Sequence, residues 1–138
     1  MRMKDCFDQG LLRKGELKGE VVAKEAEVAR KHISNAERCL KEGMHDLAMV
    51  AIYTSMFHSA RAVLYKDGIR ERSHVCVIIY LQEKYPELVR FTRLMDIYRR
   101  NRHTVLYGVD CDVAKNDVVQ GITDARDFLT AVSKVCSL

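Results

Sequence analysis

Residues 45–66, HDLAMVAIYTSMFHSARAVLYK, constrain the fold more than any other stretch. A helix this long and apolar almost all round cannot hide its surface with a single stripe. It must be wrapped by other helices or lie partly against a second subunit. The spacing predicts a helix over 45–66 with a seam of Leu47, Val50, Thr54, Phe57, Arg61 and Leu64. Asp67-Gly68 then supplies turn chemistry to end it.

Three neighbouring segments carry the periodicity needed to do the wrapping. Over about 20–42, Val22, Ala26, Ala29, Ile33, Ala36 and Leu40 step by four and three, with Lys24, Glu25, Glu27, Arg30, Lys31, Glu37 and Lys41 on the other face. Alanine at three of those seam positions predicts a close approach by a neighbouring helix. Over about 113–136, Val118, Ile122, Ala125, Leu129, Val132 and Cys136 repeat the pattern. Over 87–108, Leu88, Phe91, Met95, Tyr98 and Val105 form a third seam, opened by Pro86 and closed by Gly108 as a C-cap. A shorter helix is expected over HVCVIIYLQEKY with Ser73 as its N-cap, after a basic turn at Ile69–Arg72. Val77, Ile78, Ile79 and Leu81 would also suit a strand, but the Glu83-Lys84 ending favours helix. Val109–Asp112 is a short loop.

The expected fold is therefore all-α, an up-and-down bundle of about five helices. Residues 1–19 form a short additional element, in which Phe7, Leu11 and Leu12 pack one helix onto the bundle, and 20–138 form the domain. One proline, no tryptophan and 48% hydrophobic residues agree with a helical globule. Five cysteines, odd in number, scattered and without a C-x-x-C pair, argue against both a disulfide framework and a zinc site. Cys39, Cys76 and Cys136 fall in helical patterns as small core hydrophobes. The N-terminus is too polar for a signal peptide and no stretch reads as a transmembrane span, so a cytoplasmic location is expected.

Function is expected where the pattern breaks. Arg102 occupies the seam position between Tyr98 and Val105, and Arg61 occupies one on the 45–66 helix. A charge on an apolar face is costly unless it is paired and hydrogen-bonded. The simpler reading lays each stem along the core edge with its guanidinium in water or on a carboxylate. The functional reading is a cleft in which fixed guanidinium groups grip phosphate oxygens. The net charge is only +4, yet 87–108 carries Arg90, Arg93, Arg99, Arg100 and Arg102 against Glu87 and Asp96. A concentrated basic strip points to a polyanion or to acidic groups on a partner. His58 and His103 adjoin the seam arginines and are the candidate acid–base groups. His32 and His45 read as solvated, and His74 as part of a helix start. No H-E-x-x-H, Walker loop, G-x-G-x-x-G or G-x-S-x-G is present, so metalloprotease, nucleotide-loop and serine-hydrolase chemistry lack support.

Tyr53-Thr54-Ser55-Met56-Phe57-His58-Ser59-Ala60-Arg61-Ala62-Val63-Leu64-Tyr65, followed by Gly68 and Ser73-His74, resembles the HEPN domain, in particular its short stand-alone prokaryotic branch. The resemblance covers about 20–136. It implies a homodimeric bundle that holds a nucleotide or single-stranded RNA, often beside a minimal nucleotidyltransferase, with no cofactor, metal or membrane. Many HEPN proteins are metal-independent ribonucleases of toxin type. Their motif is an arginine, a polar residue, and a histidine four to six positions beyond the arginine. Arg102-His103 matches the first two places, but Tyr107 stands where the histidine belongs. Tyrosine, with a pKa near 10, is a poor base at neutral pH and still donates a hydrogen bond. Any residual catalysis would fall to Arg102, His103 and Tyr107. The residues expected to hold the ligand are Arg61, His58, Arg99, Arg100, Arg102, His103 and Tyr107. Three functions follow. The first is a binding module, the second a ribonuclease in which His103 or His58 stands in for the missing histidine, and the third a structural dimerisation unit.

Overall fold

The computed structural model describes residues 1–109 and 112–138. In chain order the elements are α1 (Met3–Asp8), β1 (Leu12–Lys14), α2 (Glu20–Lys41), α3 (His45–Lys66), β2 (Ile69–Glu71), α4 (His74–Lys84), a single 3-10 turn (Pro86–Leu88), α5 (Val89–Tyr107) and α6 (Lys115–Val135). The expected helices form close to their expected bounds. The chain is all-α apart from a two-stranded ribbon. The expected loop at 109–112 includes Asp110 and Cys111, which lie outside the described residues.

The centre is α3, as its composition requires. Thirteen of its residues are buried, from Ala48 to Leu64. Its pairing with α2 is the most extensive in the fold and is very close. Ser55 Oγ donates to the Ala29 carbonyl at 2.8 Å, possible only because Ala26, Ala29 and Ala36 present almost no side chain there. From the other side α6 approaches as tightly, since a Cβ on Gly121 would meet Ile52 Cδ1 at 2.7 Å. Between α5 and α6 a buried carboxylate is fully engaged. Asp124 accepts from the Tyr98 hydroxyl at 2.8 Å and from Gln120 Nε2 at 2.9 Å. By length and composition α3 could cross a membrane, contrary to the sequence expectation, but most of it is buried inside the bundle.

Three other expectations are corrected. The α3 seam chosen from sequence is not the core stripe. Of this line Phe57 and Leu64 lie in the core, whereas Leu47 is 50% exposed and Val50, Thr54 and Arg61 are only half-buried. On a helix apolar nearly all round, periodicity does not single out one face. The N-terminal element is also more than a helix. β1 pairs antiparallel with β2, Leu12 facing Glu71 and Lys14 facing Ile69, so the presumed basic turn is a strand. Finally, Cys6 in α1 and Cys76 in α4 form a disulfide across a sequence separation of 70, against the expectation of none. Both are fully buried. With Met3 N–H donating to Glu83 at 2.7 Å, the disulfide and the ribbon strap the N-terminus across α4 and β2. Gly108 does cap α5, in extended rather than left-handed backbone. Glycine is needed because a Cβ would lie 2.5 Å from the Thr104 carbonyl oxygen.

Candidate functional site

One face of α3 carries Tyr53, Phe57, Arg61 and Tyr65 at successive steps of four, which brings them into a row. The start of α4 lies against that row. Ser73 caps α4 through its hydroxyl, which accepts from Cys76 N–H at 3.2 Å, and this fixes the first residue, His74. The His74 ring stacks on Phe57 with centroids 4.1 Å apart, and its Nδ1 shares a 2.6 Å hydrogen bond with the Tyr53 hydroxyl. From the third side α5 sets the Arg102 guanidinium 5.2 Å from the centre of the Tyr53 ring. Arg102 Nε is buried there without a hydrogen-bond partner.

The electrostatics follow from this packing. His74 is held below its ordinary value of 6.5, first by burial and then by the positive charges of Arg102, Arg99 and Arg61, so its neutral form is favoured at pH 7. The Tyr53 hydroxyl is pushed up to about 12, chiefly by burial, with Arg102 and Arg99 pulling the other way. Three arginines from two helices thus surround a neutral imidazole and a protonated phenol. Such a cluster offers positive charge and donors to an anion.

The arginines differ in what already holds them. Arg61 Nε lies 3.1 Å from Glu71, its Nη2 lies 3.6 Å from Glu25, and it donates to the Tyr65 hydroxyl. Burial opposes its charge, but that hydrogen bond and the two carboxylates more than restore it, and the guanidinium titrates above its usual range. Glu25 also takes His58 Nδ1 at 2.5 Å, so His58 is occupied too. Arg99 and Arg100 both pair with Asp96, at 3.1 and 3.3 Å. Arg90 approaches Asp124 and Asp127 at 3.9 and 3.7 Å. Arg102 has no carboxylate partner among the described residues.

The His103 and Tyr107 rings lie against one another at a 46° tilt, with centroids 4.9 Å apart, on the exposed outer end of α5. No contact among the described residues brings either to His74 or Arg102. Of the residues singled out from sequence, the structure therefore gathers Arg61, Arg99 and Arg102 around one point. It places His58 beside them on Glu25 and leaves Arg100, His103 and Tyr107 outside. Sequence reasoning missed His74, Tyr53, Glu25 and Glu71. The Tyr53–Phe57–Arg61–Tyr65 row was visible as a pattern of fours, but its partners come from other elements. His32, expected in solvent, is half-buried and stacks on His58 with centroids 5.6 Å apart. His45 is half-buried as well, its Nδ1 lying 3.3 Å from the Val113 carbonyl. A groove of about 330 Å³ between α5 and the start of α6 is lined by apolar and acidic groups with no arginine or histidine, which does not suit an anion. Among the described residues no cluster of three or more His, Cys, Asp or Glu side chains could hold a metal.

The HEPN domain family model matches residues 24–135, from the first turns of α2 to the end of α6. The chain belongs to the HEPN domain family. The match leaves α1, β1 and the first turn of α2 outside it. No curated protein compared with the chain matches it. Within the HEPN fold the site is built from the first residue of α4 and facing stretches of α3 and α5, all inside the matched range.

Proposed function

We propose that this HEPN protein is a binding module for single-stranded RNA or nucleotides, with a phosphate held by Arg102 beside His74. One observation carries the reading. Among the described residues Arg102 has a half-buried guanidinium with an unpartnered Nε and no carboxylate, next to a neutral histidine. A charge left partly desolvated and unpaired is costly, and a phosphate oxygen would relieve that cost. Membership of the HEPN family supports an RNA- or nucleotide-related role.

The finer reading adds a homodimer and a minimal nucleotidyltransferase partner. Leu47 on α3 and Ile97 and Leu106 on α5 are each 46 to 50% exposed, an apolar surface that a second copy would cover. Sedimentation at micromolar concentration tests the dimer, and a concentration-independent monomer would refute it. Binding is tested by fluorescence anisotropy with a labelled oligouridylate over a salt series. Affinity should fall steeply with salt as counterions are released, and Arg102→Ala should shallow the log–log slope by about one. No binding at low salt, or binding indifferent to salt, would leave the arginines as structural groups.

A further inference from the structure

We propose that the Cys6–Cys76 disulfide is a thiol-operated latch, which a dithiol reductant opens to loosen the connection between α3 and α4 and so weaken binding at Arg102. The effect on binding rests on the phosphate-binding reading given above; the opening of the strap does not.

The strap clamps that connection at both ends. Gly15 N–H donates to the Gly68 carbonyl and Arg72 N–H to the Leu11 carbonyl, each at 2.8 Å. Between those bonds β1 is the strand that pairs with β2, in a ribbon of two strands only. Beyond the ribbon, Cys6 is bonded to Cys76 in the first turn of α4. Cys76 N–H is also the donor to the Ser73 cap, and His74 lies between the two. The clamped segment therefore carries Glu71, which holds Arg61, as well as Ser73 and His74.

The strap can lift without undoing the bundle. Of residues 1–19 only Cys6 and Leu12 are buried, so the remaining core belongs to the helices it crosses. At six residues α1 is too short to persist as a helix by itself in water. Besides the disulfide, α1 is held by an edge contact of Phe7 on Tyr80 and by Met3 N–H and Arg2 on Glu83. Both sulfurs are fully buried, so a reductant reaches them when α1 opens locally.

The exchange balances with a dithiol as the reductant. One of its thiolates attacks a sulfur of the pair, the Cys6–Cys76 bond breaks, and a mixed disulfide forms. Its second thiolate displaces the cysteine, and the reductant leaves as a disulfide. Two electrons pass to the protein, and both cysteine sulfurs take up protons. With α1 and β1 released, residues 68–74 lose their cross-strand bonds and their anchor on α4. Arg102 stays in place on α5, but His74 is no longer fixed beside it.

The test uses the full chain in buffer without denaturant, before and after dithiothreitol. Alkylation of Cys6 and Cys76, read by peptide mapping, should show that reduction goes to completion in the native protein. Amide exchange should then rise in residues 68–74 and stay low in α3 and α6. Anisotropy with a labelled oligouridylate should show affinity about fivefold weaker in the reduced protein, the lower end of coupling between distinct sites. Oxidised glutathione should restore it. Cys6→Ala should bind like the reduced protein and ignore dithiothreitol. Reduced wild type supplies the same state without a substitution, so the comparison stands even if that variant does not fold. A disulfide that resists dithiothreitol until urea is added, or equal affinity in the two states, would overturn the latch. Loosening of residues 68–74 in a protein that binds the strand in neither state would overturn the binding reading and the coupling, and leave the opening of the strap established.

Discussion

Arg61 and Arg102 read alike in the sequence, each an arginine at a seam position of an apolar helix, but they sit in different surroundings. Arg61 is enclosed by Glu25, Glu71 and Tyr65, and its charge is already matched. Arg102 leans on the Tyr53 ring with a buried, unpartnered nitrogen and no acid among the described residues. The same residue type at the same kind of position therefore does opposite work. Arg61 fastens α2, α3 and β2 together, whereas Arg102 leaves unused hydrogen-bonding capacity beside a neutral histidine. The difference comes from the carboxylates that distant elements bring, not from the helix that carries the arginine.

The N-terminal strap supports the Arg61 side, because β1 pairs with the strand that carries Glu71. The largest expected effect follows from releasing it. Reduction of Cys6–Cys76, or Cys6→Ala, should cost about 3 kcal/mol of unfolding free energy, since a long loop is no longer closed in the unfolded chain. Urea denaturation with and without dithiothreitol measures it. Hydrogen exchange should rise in residues 69–71 more than in α5. An equal rise in both would mean that the two arginine environments are not separate.

Arg61→Ala comes next. It takes the guanidinium from Glu25 and Glu71, whose side chains are only 14 and 13% exposed, and leaves them His58 and the Tyr65 hydroxyl. Removing one member of a fully buried pair costs more, but Arg61 is a quarter exposed, so about 2 kcal/mol is expected. Arg102→Ala should change stability by less than about 1 kcal/mol, the scale of a partly exposed cation–π contact. Thermal melts of the two variants side by side give the comparison directly. If Arg102→Ala proved the more destabilising, the roles would be reversed.

The smallest effect is one of pH. Because His74 is held below 6.5 in the folded protein, the unfolded chain binds the proton more readily. The stability it contributes is fully present above about 6.5 and is lost as pH falls through that value toward the lower folded one. The slope of stability against pH in that window should flatten in His74→Gln. An unchanged slope would show that His74 does not titrate with a lowered pKa.

The bundle was legible because each long helix repeats its apolar residues at a helical period, and the alanines of α2 announced the close approach of α3. Three-residue strands have no period to read, and nothing in the spacing of Cys6 and Cys76 distinguishes a pair 70 residues apart from two core thiols. Of the seam chosen on α3 only Phe57 and Leu64 are core, because a helix apolar on both faces does not single one out by period. Arg102 stood out as a break in a good seam. His74 did not, since its role depends on the Tyr53 and Phe57 rings of one helix and the arginines of another, a meeting that only the folded chain creates.

The contrast between the two arginines is tested most directly by measuring oligouridylate affinity at low salt for wild type, Arg61→Ala and Arg102→Ala. Arg102→Ala should weaken binding at least about tenfold, near the lower end of what a charge-assisted hydrogen bond contributes. Arg61→Ala should change it less than about threefold, because its guanidinium is already spent on protein carboxylates. Equal losses, or a larger loss in Arg61→Ala, would contradict the assignment of Arg102 as the ligand-holding arginine.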